Sequence, residues 1–245
     1  MPNLAFSVAV FIVAIISGGV AALSGFGIGS LLTPVLAMAV GMKVAVAAVS
    51  LPHFVATCVR LWGLRKHVDR RVLLHFGILS TVGGLLGALF QSKSNSPALS
   101  LVFGGLLLFA GVSGLAGWSE RMHFGRGTAW LAGALSGFFG GIVGNQGGIR
   151  SAALMGFQLS KESLVATATA TGVLVDTARM PVYLATQGRA LIPVAIYIVF
   201  ATVGCLIGTF WGVRVLERIP PHWYKRVLSS LICALGLYMV LKTLL

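Results

Sequence analysis

At 245 residues, with 57% hydrophobic and only 9% charged side chains, the chain carries far fewer charges than the roughly 25% of soluble domains. Its mean hydropathy of +0.96 excludes a water-soluble globule and indicates a polytopic helical membrane protein. The formal net charge of +13 does not indicate a nucleic-acid partner, because the Lys and Arg residues form no basic face. They fall instead in short loops between apolar runs, as positive-inside loops do.

In chain order, apolar runs near residues 4–23, 44–62, 72–90, 97–118, 162–184, 191–213 and 227–244 are each about long enough to cross a hydrocarbon core of roughly 30 Å. The first lacks a basic n-region and a clear Ala-x-Ala cleavage site, so it reads as a membrane helix and not as a removed signal peptide. Two stretches, 24–42 and 128–160, are apolar but interrupted by glycine clusters, Gly25-Phe26-Gly27-Ile28-Gly29 and Gly144-Asn145-Gln146-Gly147-Gly148.

These breaks correspond. A shift of 119 residues superposes Gly25 on Gly144, Gly29 on Gly148 and Arg60 on Arg179, and a shift of 121 superposes Gly83-x-x-x-Gly87 on Gly204-x-x-x-Gly208. The chain therefore reads as one all-α membrane domain, 1–245, with repeat 1 at 1–118, a linker at 119–127 and repeat 2 at 128–245. Each repeat has a Gly-broken hairpin, re-entrant or bent, followed by about three transmembrane helices. If each broken stretch returns to the side it came from, the loops 63–71, 119–127 and 214–226, with Lys161, place eleven basic residues on one side. Lys43, Lys93, Arg189 and Lys242 are left on the other. That bias assigns the loops to the cytoplasm, opens hairpin one to the outside and hairpin two to the inside, and makes the repeats inverted.

Irregular backbone at membrane depth is tolerated where protein or a water-filled cavity satisfies its polar groups. Glycine admits close approach of a substrate, and the N-terminus of a half-helix favours anions. The candidate substrate site is therefore Gly25, Gly27 and Gly29 with Asn145, Gln146, Gly147, Gly148, Arg150 and Ser151. Arg150 is the main counter-charge, since a guanidinium holds an oxyanion through two parallel hydrogen bonds. Arg60, Arg179 and Asp176 are further intramembrane charges, each costly enough to imply a use. Asp176 and Arg179 are spaced to pair, and Arg60 lies near enough to the cytoplasmic end to snorkel. Asp176 and His53, which follows Pro52, are the candidates for coupled protons.

His67, His75, His123 and His222 show no metal-ligand spacing. Cys58, Cys205 and Cys233 lie in apolar runs without CxxC pairs, so neither a metal site nor a cofactor is indicated. Gly111-Val112-Ser113-Gly114 has the GxSG pattern of intramembrane serine proteases, but no later apolar run holds the necessary histidine. Close helix packing accounts for it better, and the reading is of a transporter and not an enzyme.

The segments GFGIGSLLTPVL and GGIVGNQGGIRSAALMGFQLSKESLVATATA resemble the two signature regions of the TauE/SafE sulfite-exporter family, and the resemblance covers essentially the whole chain. It departs from the family at Asn145-Gln146, where further glycines are frequent, and at Ala153, where the counterpart of Pro34 is missing. The resemblance implies a multi-pass permease of the bacterial inner membrane. It would carry sulfite or other small sulfur-containing or organic anions by alternating access, with a passive anion channel as the alternative. Lipid and the small anion are the expected partners, and the sequence leaves open whether the protein acts as a monomer or a homo-oligomer.

Overall fold

The computed structural model describes residues 4–25, 27–117, 126–144, 149–150, 153–154, 156–212, 218 and 220–245. Among them there are helices and no strands, as a hydrocarbon solvent requires of an open chain that must satisfy its own backbone. The helices are α1 (Leu4–Ser24), α2 (Ile28–Val40), α3 (Met42–Leu64), α4 (Arg70–Lys93, with a π-helical turn at Leu73–Gly77), α5 (Ser96–Leu115) and α6 (Arg126–Val143). They continue with α7 (Lys161–Leu191), α8 (Ala195–Ile207, ending in a π-helical turn at Gly208–Gly212) and α9 (Pro221–Leu244).

Six helical stretches among the described residues are long and apolar enough to cross a membrane. One of them, Glu162–Trp211, is 50 residues long, more than twice the about 20 that a crossing needs. The chain reverses within it at the 3₁₀ turn Ile192–Val194. Gln187, near the end of α7, bonds Gln91 at the end of α4, whereas Tyr197, at the start of α8, stacks on Phe6 at the start of α1.

Residue contacts fix the running directions. α5 and α9 are antiparallel, since Gly104 faces Gly236, Gly111 faces Cys233 and Gly114 faces Ser229. A Cβ at any of these glycines would overlap the facing helix, so Gly111 and Gly114 of the GxSG tetrapeptide are accounted for by packing. α4 and α6 run parallel: Gly83 lies on Ala134 and Gly87 on Phe138 and Gly141. α1 and α8 also run parallel, with Gly204 against Phe11 and Gly208 against Ile15 and Gly19. The two aligned glycine pairs thus do the same task, seating a Gly-broken helix at backbone contact, as small-xxx-small pairs do. α4 seats α6, and α8 seats α1.

In one respect the fold differs from the sequence reading. Residues 24–42 do not contain both arms of hairpin one. They hold only the 13-residue α2, and α1 itself is the other arm, turning back through Gly25–Gly27 so that Gly27 packs on Val20 and Ala21. Twenty-one apolar residues fill a membrane span whether they stand alone or belong to a hairpin, so hydropathy does not separate the two cases.

Lys43 donates to the Ser92 and Ser94 carbonyls at 2.6 and 3.2 Å, which gathers the start of α3 and the turn carrying Lys93 at one end of the bundle. Arg189, two residues after Gln187, and Lys242, which lines a recess with Gly41 and Ser96, lie at that end too. The turn holding Arg65, Lys66, Arg70 and Arg71 lies at the opposite end, where the Asp69 N–H donates to Thr167 near the start of α7 and His75 stacks on Trp130 near the start of α6.

Candidate functional site

The centre of the protein is the contact between α3 and α7, which run antiparallel and carry His53, Arg60, Asp176 and Arg179. The two glycine breaks abut this pair. At break one, Gly25 has φ +78°, and Arg60 reaches from α3 to donate from Nη1 to the Ala21 carbonyl in the last turn of α1. At break two, Gly144 has φ +74°, and Arg179 reaches from α7 to donate from Nη1 to the Gly140 carbonyl in the last turn of α6. Both φ values lie in the left-handed region that glycine enters freely. Each carbonyl already accepts the N–H of the glycine that ends its helix, Gly25 on Ala21 and Gly144 on Gly140, both at 2.9 Å, and an arginine 39 residues downstream adds a second, charged donor in each case. Ala21 and Gly140, like Arg60 and Arg179, are separated by 119 residues.

The two caps differ in their other partners. Arg179 is 1% exposed. Its Nε lies 2.9 Å and its Nη2 2.7 Å from Asp176 Oδ1, and Tyr183 adds a hydroxyl donor to the Gly141 carbonyl. Asp176 Oδ2 is in turn 2.6 Å from His53 Nδ1. The expected Asp176–Arg179 pair therefore exists and extends across the helix interface to His53, joining the two proposed proton-bearing groups. Arg60 is half-buried; instead of snorkelling, it turns inward, with Nε on the Thr169 hydroxyl at 3.2 Å.

Arg150 is placed differently from both. It is 3% exposed, its Nη1 donates to the Ala168 carbonyl at 3.1 Å, and Nε and Nη2 have no hydrogen-bond partner among the described residues. Desolvated N–H groups of a guanidinium cost several kcal/mol unless something accepts from them. Because Ala168 adjoins Thr169, Arg150 and Arg60 approach the same turn of α7, which brings the charge of the second hairpin towards the first break.

Of the other residues expected at the site, Gly27 has φ +136° and Gly29 is buried in the first turn of α2. Asn145, Gln146, Gly147, Gly148 and Ser151 lie outside the described residues, as does His123. Sequence reasoning missed Tyr183, Thr169, Thr57 and Gly172. A Cβ on Gly172 would meet Arg150 Nη1 at 3.0 Å and Thr57 Cγ2 at 3.4 Å. Nothing in composition separates a threonine or glycine of this kind from its neighbours; the repeat shift, applied to His53 and Asp176, would have led to both.

A bundle of helices long and apolar enough to cross a membrane, with arginines buried against two helices that end at glycines, suits a membrane transporter. Residues 10–239 match the family described as Sulfite exporter TauE/SafE, and the chain belongs to that family. No curated protein and no solved structure matches it.

Proposed function

We propose that the protein is a secondary transporter of small sulfur-containing oxyanions or organosulfonates such as sulfite. Its two halves act as inverted repeats that expose a site between the glycine breaks alternately to each side. The observation that carries this reading is Arg150, a buried guanidinium whose Nε–Nη2 edge has no acceptor. That edge is the side-on fork that takes two oxygens of one oxyanion. Arg60 and Arg179 support the site by holding the broken helices through their carbonyls, next to Gly25 and Gly144. The loops 63–71, 119–127 and 214–226 face the cytoplasm of a bacterial cell by the bias of basic residues.

Coupling to protons is assigned to His53 and Asp176. Asp176 already serves as counter-ion to Arg179, so a proton arriving at the pair loosens the cap on break two. This links protonation to movement of a hairpin.

Reconstitution into proteoliposomes tests the reading. Sulfite flux is expected to saturate, and Arg150→Ala to abolish it in folded protein. Flux rising linearly with concentration at channel-like rates would replace the transporter by a channel. Saturable flux of sulfite, sulfate and methanesulfonate untouched by Arg150→Ala would remove the site. For coupling, His53→Gln is expected to eliminate accumulation driven by a proton gradient while anion exchange continues, and unaltered accumulation would refute the role.

A further inference from the structure

The 119-residue shift that relates the two breaks also relates His53 to Gly172 and Thr57 to Asp176. The contact between His53 on α3 and Asp176 on α7 therefore has a counterpart across the same helix pair, between Gly172 on α7 and Thr57 on α3. Where the first contact holds an imidazole against a carboxylate, the second has no side chain on Gly172 and a hydroxyl in place of the acid. The Arg150 guanidinium takes this space: its Nη1 lies 3.0 Å, and the Thr57 methyl 3.4 Å, from the place a Cβ on Gly172 would occupy.

Among the described residues, Thr57 shares with Thr33 a buried threonine hydroxyl that has no hydrogen-bond partner. Thr169, Thr171, Thr186, Thr202 and Thr209 each donate to the carbonyl four residues earlier, the common local bond of a helical hydroxyl. Thr57, 1% exposed, does not, and its Oγ1 has no partner. A buried hydroxyl without a partner carries a desolvation cost, and the two free nitrogens of Arg150 carry another. The three atoms with unmet hydrogen-bonding capacity belong to side chains converging on one glycine.

We propose that Thr57 and Gly172 are specificity-determining residues of the anion site. Thr57 supplies a neutral hydroxyl donor to an oxyanion whose other oxygens are taken by Arg150, and Gly172, by lacking a side chain, lets the guanidinium lie against α7 beside Thr57. This rests on the reading of Arg150 as the anion's counter-charge and adds to it the shape of the site. One half of the repeat carries the acid–base pair, and the same position in the other half carries the hydroxyl and the arginine beside it. A site with a single cation and a neutral hydroxyl suits an anion with several oxygens clustered on one atom, held on one face by the fork and on another by the hydroxyl.

The test is sulfite binding to the purified, detergent-solubilised protein by calorimetry, with methanesulfonate as the larger probe. Thr57→Val, which keeps the shape and removes the hydroxyl, is expected to weaken sulfite binding about tenfold, and Thr57→Ser to restore it. Gly172→Ala, whose Cβ would press on Arg150 Nη1, is expected to weaken the binding of both probes, and thermal melts of each variant verify that it is folded. If Arg150→Ala abolishes sulfite binding while Thr57→Val and Gly172→Ala leave both affinities unchanged, the proposal is overturned and the assignment of Arg150 stands. If Arg150→Ala also binds sulfite normally, or the wild-type protein binds neither probe, the assignment of Arg150 falls and the proposal with it.

Discussion

The three buried or half-buried arginines divide by how completely they are partnered. Arg179 places its guanidinium nitrogens on Asp176 and the Gly140 carbonyl, with Tyr183 alongside on Gly141. Arg60 has two partners, both neutral, and is partly exposed. Arg150 has one neutral partner and two free nitrogens in a fully buried position. A desolvated charge without counter-charge is retained in a protein when something other than stability requires it. Along this series a structural role gives way to a binding role, and break two is held more firmly than break one.

Substitution by methionine, which preserves length and removes charge, should break the series apart. Arg179→Met has the largest expected effect. It leaves Asp176 buried with only His53, while the Gly140 carbonyl keeps the Gly144 N–H, so a loss of about 3–5 kcal/mol is expected from the broken ion pair. Chemical denaturation in detergent measures it. A loss below that of Arg60→Met would reverse the order of the two caps. Arg60→Met removes one of two donors to the Ala21 carbonyl and one bond to the Thr169 hydroxyl, neither of them charged, and is expected to cost about 1–2 kcal/mol. Tyr183→Phe removes one hydrogen bond to the Gly141 carbonyl and keeps the ring, for a cost of about 1 kcal/mol. If it costs as much as Arg179→Met, the hydroxyl and not the ion pair is what holds break two.

How far the sequence reveals these differences depends on which residues carry them. The breaks themselves are readable, because a left-handed turn inside an apolar run selects glycine, and Gly25 and Gly144 take that conformation. The arginines are readable as costly residues, but their partners are backbone carbonyls 39 residues away, and a carbonyl has no residue identity to recognise. The place of α1 in a hairpin is hidden because its 21 residues satisfy the length of a crossing. Thr57 and Gly172 are hidden for a different reason: threonine and glycine are ordinary in membrane helices, and only the geometry distinguishes a hydroxyl free of its usual local bond.

The smallest expected effect on stability is the most diagnostic, because its sign is opposite to the others. In Arg150→Met the Ala168 carbonyl loses a donor, but that carbonyl belongs to helix α7, and the variant no longer buries a cation with two unmet N–H groups. Replacing buried charge with an apolar side chain of similar length is frequently neutral or stabilising, so the variant should unfold at the same denaturant concentration as the wild type or be up to roughly 2 kcal/mol more stable. A binding residue that is kept against stability must then show its use elsewhere. Saturating sulfite should raise the melting temperature of the wild type by mass action and leave that of Arg150→Met unmoved. If Arg150→Met instead lost as much stability as Arg179→Met, the free edge would have a structural partner, and Arg150 would join the caps instead of standing apart from them.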